Sequence, residues 1–441
     1  MQNKNDMKTD ILIVGSGCAG LYCALNLPKD KKITIITKAD AEENDSYLAQ
    51  GGMCMLRDAS DFESFFGDTM RAGHYENDGK SVKIMIQSSQ EVVKDLVAFG
   101  ADFQKDENNQ LAFTKEGAHS KSRIIFHEDV TGKEITSTLL RTVKKQKNIS
   151  FYEHTTMIDI LEENNVCYGA VVQKSDGTLE IIEADYTVMA TGGIGGLYKH
   201  STNFRHLTGD ALAIAIMHGI ELKDISYVQI HPTTLYTKED RSFLISESVR
   251  GEGAVLRNKA GERFVDELLP RDVVSKAIYE QMEKDQTEFV WEDLRGIPED
   301  ELKTHFPNIV SHCLEMGYDV TKECIPVVPA QHYFMGGVKI NYEGRTSMEQ
   351  LYAVGETACN GVHGKNRLAS NSLLESLVFA RRAALDMIEN MEQVKRIENP
   401  ENLMNKEKYS DIDQLKKEYR ELVRKEIQSA VEKEKKKCTI Q

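Results

Sequence analysis

Residues 11–20, Ile-Leu-Ile-Val-Gly-Ser-Gly-Cys-Ala-Gly, constrain this chain more than any other stretch. Ile11 to Val14 is a continuous apolar run, the pattern of a strand buried on both faces of a parallel sheet. A G-x-G-x-x-G segment follows, then a helical pattern through Leu27 and a second buried strand from Ile33 to Thr37. Together they make a βαβ unit. In that setting Gly15 permits a tight turn, Gly17 lets main chain approach a pyrophosphate, and Gly20 lets helix and strand pack closely. The helix N-terminus adds free N–H groups and partial positive charge. A dinucleotide site is therefore predicted at Gly15, Ser16, Gly17, Cys18, Ala19 and Gly20.

The second strand should end on an acid for the ribose hydroxyls, but it reads Thr37-Lys38, so adenosine recognition must differ in detail. A second glycine cluster, Ala49-Gln50-Gly51-Gly52, comes soon after. NAD sites rarely need a second close backbone approach, whereas an isoalloxazine ring must lie against main chain far from its adenine. FAD is favoured over NAD.

Further strands run into glycine at Tyr186–Ala190 (then Thr191-Gly192-Gly193) and at 350–356, Gln-Leu-Tyr-Ala-Val-Gly-Glu. Such junctions far apart in sequence imply one sheet interrupted by an insertion. The reading is α/β: a Rossmann-like cofactor domain at 1–225 and 340–390, an inserted α+β unit at 226–339, and a helical segment at 391–441. Lys408 to Lys437 has apolar residues at helical spacing (Leu415, Tyr419, Leu422, Val423, Ile427, Val431), the mark of an amphipathic helix packed on the body. With 441 residues, two or three domains are expected.

The net charge of −15 argues against non-specific binding to nucleic acid or anionic membrane. Eight scattered cysteines include no C-x-x-C pair, so neither a zinc site nor an iron–sulfur cluster is expected, and free thiols in a reducing cytoplasm are. Met1 to Asp10 is polar, without the apolar core of a secretion signal, and no run approaches the ~18 residues of a membrane span.

Six segments in order resemble the fumarate reductase, succinate dehydrogenase and L-aspartate oxidase flavoprotein family. They are Ser46-x-x-Ala-Gln-Gly-Gly52, Ala190-Thr-Gly-Gly193, His231-Pro-Thr233, Ser246-Glu-Ser-Val-Arg-Gly-Glu-Gly253, Pro270-Arg-Asp-Val-Val274 and His363-Gly-Lys-Asn-Arg-Leu-Ala-Ser-Asn-Ser372. The resemblance implies that the insertion is a capping domain closing over the flavin. It also implies FAD contacts at Lys38, Ser46, Gln50, Gly51, Gly52, Asp210, Glu356, Asn371, Ser372 and Leu373. Membrane-complex relatives attach FAD to a histidine five residues before the Gln of A-Q-G-G; here that position is Asp45, so non-covalent FAD is expected. Within the family, Thr114-Lys-Glu-Gly-Ala-His-Ser120, Arg123-Ile-Ile-Phe-His127 and Gln331-His332-Tyr-Phe-Met-Gly-Gly337 look like the aspartate oxidase pattern.

By that resemblance Arg367 and His332 bind one substrate carboxylate, His231, Ser246 and Glu247 surround the other end, and Glu116 receives the ammonium. The family usually has Thr where Ser246 stands. Arg271 resembles the proton-transfer arginine, although a guanidinium is a poor base in water. His119, His127 and His363 read either as site neighbours or as structural residues. The implied chemistry is hydride transfer from L-aspartate Cα to FAD, giving iminoaspartate for quinolinate and de novo NAD synthesis. Oxygen or fumarate then reoxidises the flavin, yielding peroxide or succinate. Quinolinate synthase is the implied partner, although relatives commonly carry a three-helix C-terminal domain of which little more than one helix is seen here. Two other readings stay open: a soluble fumarate reductase or succinate dehydrogenase-type flavoprotein, and a non-enzymatic FAD-binding protein.

Overall fold

The computed structural model describes residues 6–238 and 241–440; the side chain of Cys438 and residues 1–5 of the polar N-terminus lie outside the described set. The strand Asp6–Val14 runs through a seven-stranded sheet. Ile33–Ile36 and then Ile149–Tyr152 lie parallel on one side, and Leu179–Met189 lies parallel on the other. This last strand divides its outer edge. Its first half pairs antiparallel with Val166–Gln173, which in turn pairs with Thr156–Glu163, and its end pairs parallel with Leu351–Ala353. Ile11, Leu12 and Ile13 are fully buried, as a strand covered on both faces requires.

Registry aligns the functional junctions. Val14 pairs with Ile36 and with Met189, and Met189 pairs with Ala353. Gly15, Lys38, Gly192 and Gly355 therefore emerge at one carboxyl edge of the sheet, where open α/β sheets bind ligands.

A second apolar cluster, from Leu235 to Val327, is separate from the core of the large sheet. It lies beneath a four-stranded antiparallel sheet in the order Val228–Leu235, Ile325–Phe334, Val290–Asp293, Val255–Arg257. The helix Arg271–Asp285 contributes Val274 and Ile278 to this core.

The C-terminal helix spans Ile412–Ile440 and begins later than the expected Lys408, because Asp411 Oδ1 accepts the N–H of Gln414 and caps it. Residues Lys406–Tyr409 form a 3₁₀ turn instead. Leu415, Tyr419 and Val423 are buried against the large-sheet core, with Leu422 and Ile427 partly covered. Val431 is only partly covered. The seven cysteines whose side chains are described are all free thiols.

Candidate active site

A cavity of about 310 Å³ opens at the carboxyl edge of the sheet, within the ~300–1,000 Å³ range of cofactor sites. Gly15, Ser16, Gly17, Ala19, Lys38, Ser46, Gln50, Asp210, Glu356, Ser372 and Leu373 line it, all expected from sequence. Cys18, Gly20, Gly51, Gly52 and Asn371 stand outside the lining. Gly15 has φ +125°, and a Cβ there would lie 2.0 Å from the Ala190 carbonyl oxygen, so only glycine fits. The hydroxyl of Ser46 accepts the Cys18 N–H at 3.2 Å, capping the first helix. Three acceptor oxygens of cavity-lining residues, on Asp45, Gln50 and Asn203, are buried without a hydrogen-bond partner. Buried polar atoms are normally paired, so this elongated lining fits a ligand carrying hydroxyls and N–H groups, as FAD does.

An acid does reach this end of the cavity, from elsewhere in the chain. Asp210, at the start of the helix Asp210–Met217, forms a 2.7 Å ion pair with Lys38. Burial alone would push this carboxyl up, but Lys38 outweighs burial and holds it below its ordinary value. A carboxylate thus reaches the end of the second strand from 172 residues away.

Behind the cavity lies a second set of groups. His332 and Arg367 share the cavity wall, whereas Arg271, Glu116, His231, Ser246 and Glu247 do not line it and are buried. Two β-bulges aim the histidines. Across the strands Val228–Leu235 and Ile325–Phe334, Gln229 faces Tyr333 but Ile230 faces Gln331, so His332 is the extra residue. One step on, His231 faces Ala330 while Thr234 faces Val328. That bulge falls at Pro232 and Thr233, where proline has no N–H to give the ladder. The two imidazoles meet edge to face at 5.1 Å. Thr233 N–H donates to His231 Nδ1, while Nε2 is buried without a partner. Thr202 Oγ1 lies 2.8 Å from His332 Nδ1. Burial and the cation Arg271 hold both rings well below their usual pKa, hence neutral near pH 7.

Sequence reading missed Gln229, which joins the two arginines. Its carbonyl oxygen accepts from Arg271 Nη1 at 2.9 Å and from Arg367 Nε at 3.1 Å. Its amide donates to Asn366 Oδ1 and to the Arg367 carbonyl. Gln229 lies two residues before His231 on the same strand, and period-2 alternation was the available signal. Arg367 is stacked 4.3 Å above Tyr333, and burial beside Arg271 lowers its pKa to about 10.

The two acids differ. Glu247 bonds to Arg271 Nε and stands 3.6 Å from Arg250, another residue not foreseen. Burial raises its pKa, yet Arg271 and Arg250 outweigh burial and keep it ionised. Glu116 accepts the hydroxyls of Ser248 at 2.7 Å and Ser370 at 2.6 Å. Burial and the charge of Glu247 raise its pKa. Glu116 also lies against Gly51, where a Cβ would come within 2.5 Å of Oε1. The hydroxyl of Ser246 lies 3.3 Å from that of Ser248. His119 is locked by Arg123 and the Ala369 carbonyl, His363 is buried 3.9 Å from Glu375, and His127 sits in the loop before the helix Thr131–Val143.

Near Arg250, Glu292 is fully buried with both carboxylate oxygens unpartnered, and burial pushes its pKa to about 8. A native pKa above the unfolded value means stability is lost as pH rises from about 4.5 toward 8. Glu292→Gln should therefore melt higher than wild type by a margin that widens over that window, on the order of 4 kcal/mol at its upper end. A margin independent of pH in calorimetric scans would contradict this.

Comparison with known proteins agrees with these features. Residues 10–373 match the FAD binding domain family FAD_binding_2. The L-aspartate oxidase of Clostridium perfringens is 53% identical over 390 residues, covering 87% of this chain and 88% of that protein. That of Clostridium acetobutylicum is 48% identical over 400 residues, covering 90% and 92%. Among solved structures, E. coli quinol fumarate reductase FrdA superposes with TM-score 0.86 at 30% identity, covering 93% of this chain and 74% of that one. A flavocytochrome c3 fumarate reductase in an open conformation gives 0.68 at 27%, covering 86% and 78%. With its glycine cradle, paired arginines and identity over most of its length, the chain belongs to the L-aspartate oxidase family of FAD-binding flavoproteins.

Proposed function

We propose that this chain oxidises L-aspartate to iminoaspartate with non-covalently held FAD. The observation that carries this reading is the buried bridge Arg271–Gln229–Arg367, with Glu247 and Glu116 in the same polar network. FAD, when bound, supplies the two-electron oxidant. Arg367 with His332 grips one carboxylate, as a planar guanidinium does best. His231, offering a neutral ring's N–H from Nε2, meets the other end with Ser246. Glu247 remains ionised and orients Arg271, which positions the substrate through a carboxylate. Glu116, its pKa raised, accepts the proton that the ammonium must lose before its nitrogen lone pair can form the C=N bond. The unit at 226–339 acts as the lid that keeps water from these groups.

The same arginines would hold succinate or fumarate, so Glu116 decides the amine. Under anaerobic conditions L-aspartate should bleach the yellow protein; reoxidation by fumarate without reduction by aspartate would assign it instead to the soluble fumarate reductases. Glu116→Gln should lower kcat/KM for aspartate about 100-fold, roughly 3 kcal/mol, and change fumarate reduction less than about threefold. Equal losses with both substrates would refute that role. Acid precipitation should leave flavin in the supernatant. Among the described residues no helix is long and apolar enough to cross a membrane. A cytoplasmic location, and transfer of iminoaspartate to quinolinate synthase, complete the proposal.

A further inference from the structure

The C-terminal segment is seated on a charge buried in the large sheet. Asp159, in the strand Thr156–Glu163, is 1% exposed and bonds to His218 Nε2 at 2.7 Å. Its other oxygen takes Lys408 Nζ and, at 2.9 Å, the Tyr409 hydroxyl. Ten residues on, the Tyr419 hydroxyl donates to the Ile158 carbonyl at 2.8 Å. Breaking such a buried, multiply bonded carboxylate costs several kcal/mol, so the segment is held as firmly as a core element.

What it is held against matters more. Thr155, Thr156 and Met157, just before Asp159, line the cofactor cavity. Thr208, Gly209 and Asp210 line it too. Gly209 has φ +73°, and Val423 of the C-terminal helix packs 3.4 Å from where its Cβ would be. Arg420 adds positive charge that favours the ionised form of Asp210. Both cavity walls near Lys38 are thus backed from outside by one helix.

We propose that the C-terminal helix is a working part of the cofactor site, bracing Gly209 and Asp210 so that the Lys38–Asp210 pair is preset for the adenosine end of FAD. Groups preset by outside packing bind without first being ordered, which raises affinity with no added contact. Leu415, Tyr419 and Val423 are positioning residues on this account, and they touch no ligand.

The test uses apoprotein of the full chain and two ligands, FAD and riboflavin 5′-phosphate, which shares the isoalloxazine and lacks the adenosine. Val423→Ala should raise the FAD Kd about fivefold, and the milder surface change Arg420→Gln about threefold. Neither should move the Kd of riboflavin 5′-phosphate by more than about 1.5-fold. Val423→Ile, which keeps the packing, should restore FAD affinity. Unchanged FAD affinity in both variants, or equal weakening for both ligands, would overturn the proposal; the second result would mean that the helix only stabilises the fold.

Discussion

Arg271→Gln is expected to cut the rate of anaerobic flavin bleaching by aspartate about 1,000-fold, roughly 4 kcal/mol of barrier. Arg271 is 7% exposed and is held by Glu247 on one side and Gln229 on the other. A guanidinium fixed at both ends can hold a substrate carboxylate in the reactive geometry, and it needs no reorganisation to do so. Glutamine keeps a donor but loses both the charge and the fork. Arg271 does not line the main cavity, so FAD affinity should stay within about twofold of wild type. The comparison with Gln229→Leu is informative, because that change leaves both arginines in place without their shared acceptor. It should cost about 100-fold, with KM and kcat both affected. Bleaching by Arg271→Gln within tenfold of wild type would show that substrate orientation rests elsewhere.

Stability should suffer most from Arg123→Met. Arg123 is 0% exposed, donates to Asp61 through Nε and Nη2 at 3.1 Å, and to Asp68 through Nη1 at 2.8 Å. Removing it strands two buried carboxylates, about 3–5 kcal/mol and a fall in Tm of roughly five degrees. Burial raises the pKa of both aspartates, but hydrogen bonds and charge from their partners outweigh it and hold both below the ordinary value. A depressed native pKa gives stability that is complete above the unfolded carboxylate range and lost as pH falls through it. The gap between wild type and variant should therefore close below about pH 4. A gap that does not narrow as pH falls below about 4 would mean packing against Phe65, not charge, is what Arg123 supplies. Function is tied to this cluster as well. Since a guanidinium can only donate, His119 Nδ1 accepts from Arg123 and its Nε2–H turns to the Ala369 carbonyl, beside Ser370 and Glu116. Circular dichroism melts read the first effect, and the aspartate KM reads the second.

Much of this was legible in sequence for a physical reason. The strand–glycine–helix pattern at 11–27 is local, and Arg271, Arg367, His231 and Glu116 stand in short motifs that resemble those of a known family. Alternation could place Gln229 on the face of His231, but its role depends on bringing 271 and 367 together. Lys38 read as a departure from the dinucleotide pattern until Asp210 came to meet it. The two bulges shift register by one residue, which no periodicity in a strand of eight residues declares. Asp159 lies in a stretch reading Thr-Met-Ile-Asp-Ile-Leu, and nothing local distinguishes a docking carboxylate from a solvated one.

The cofactor cavity draws its wall from Val14 at one end of the sequence to Ser376 near the other. No fragment emerging from a ribosome owns a finished pocket until the ribosome has passed that serine. Prosthetic-group loading is therefore expected late in biogenesis, after the residues of the apolar cluster between Leu235 and Val327 have all been made.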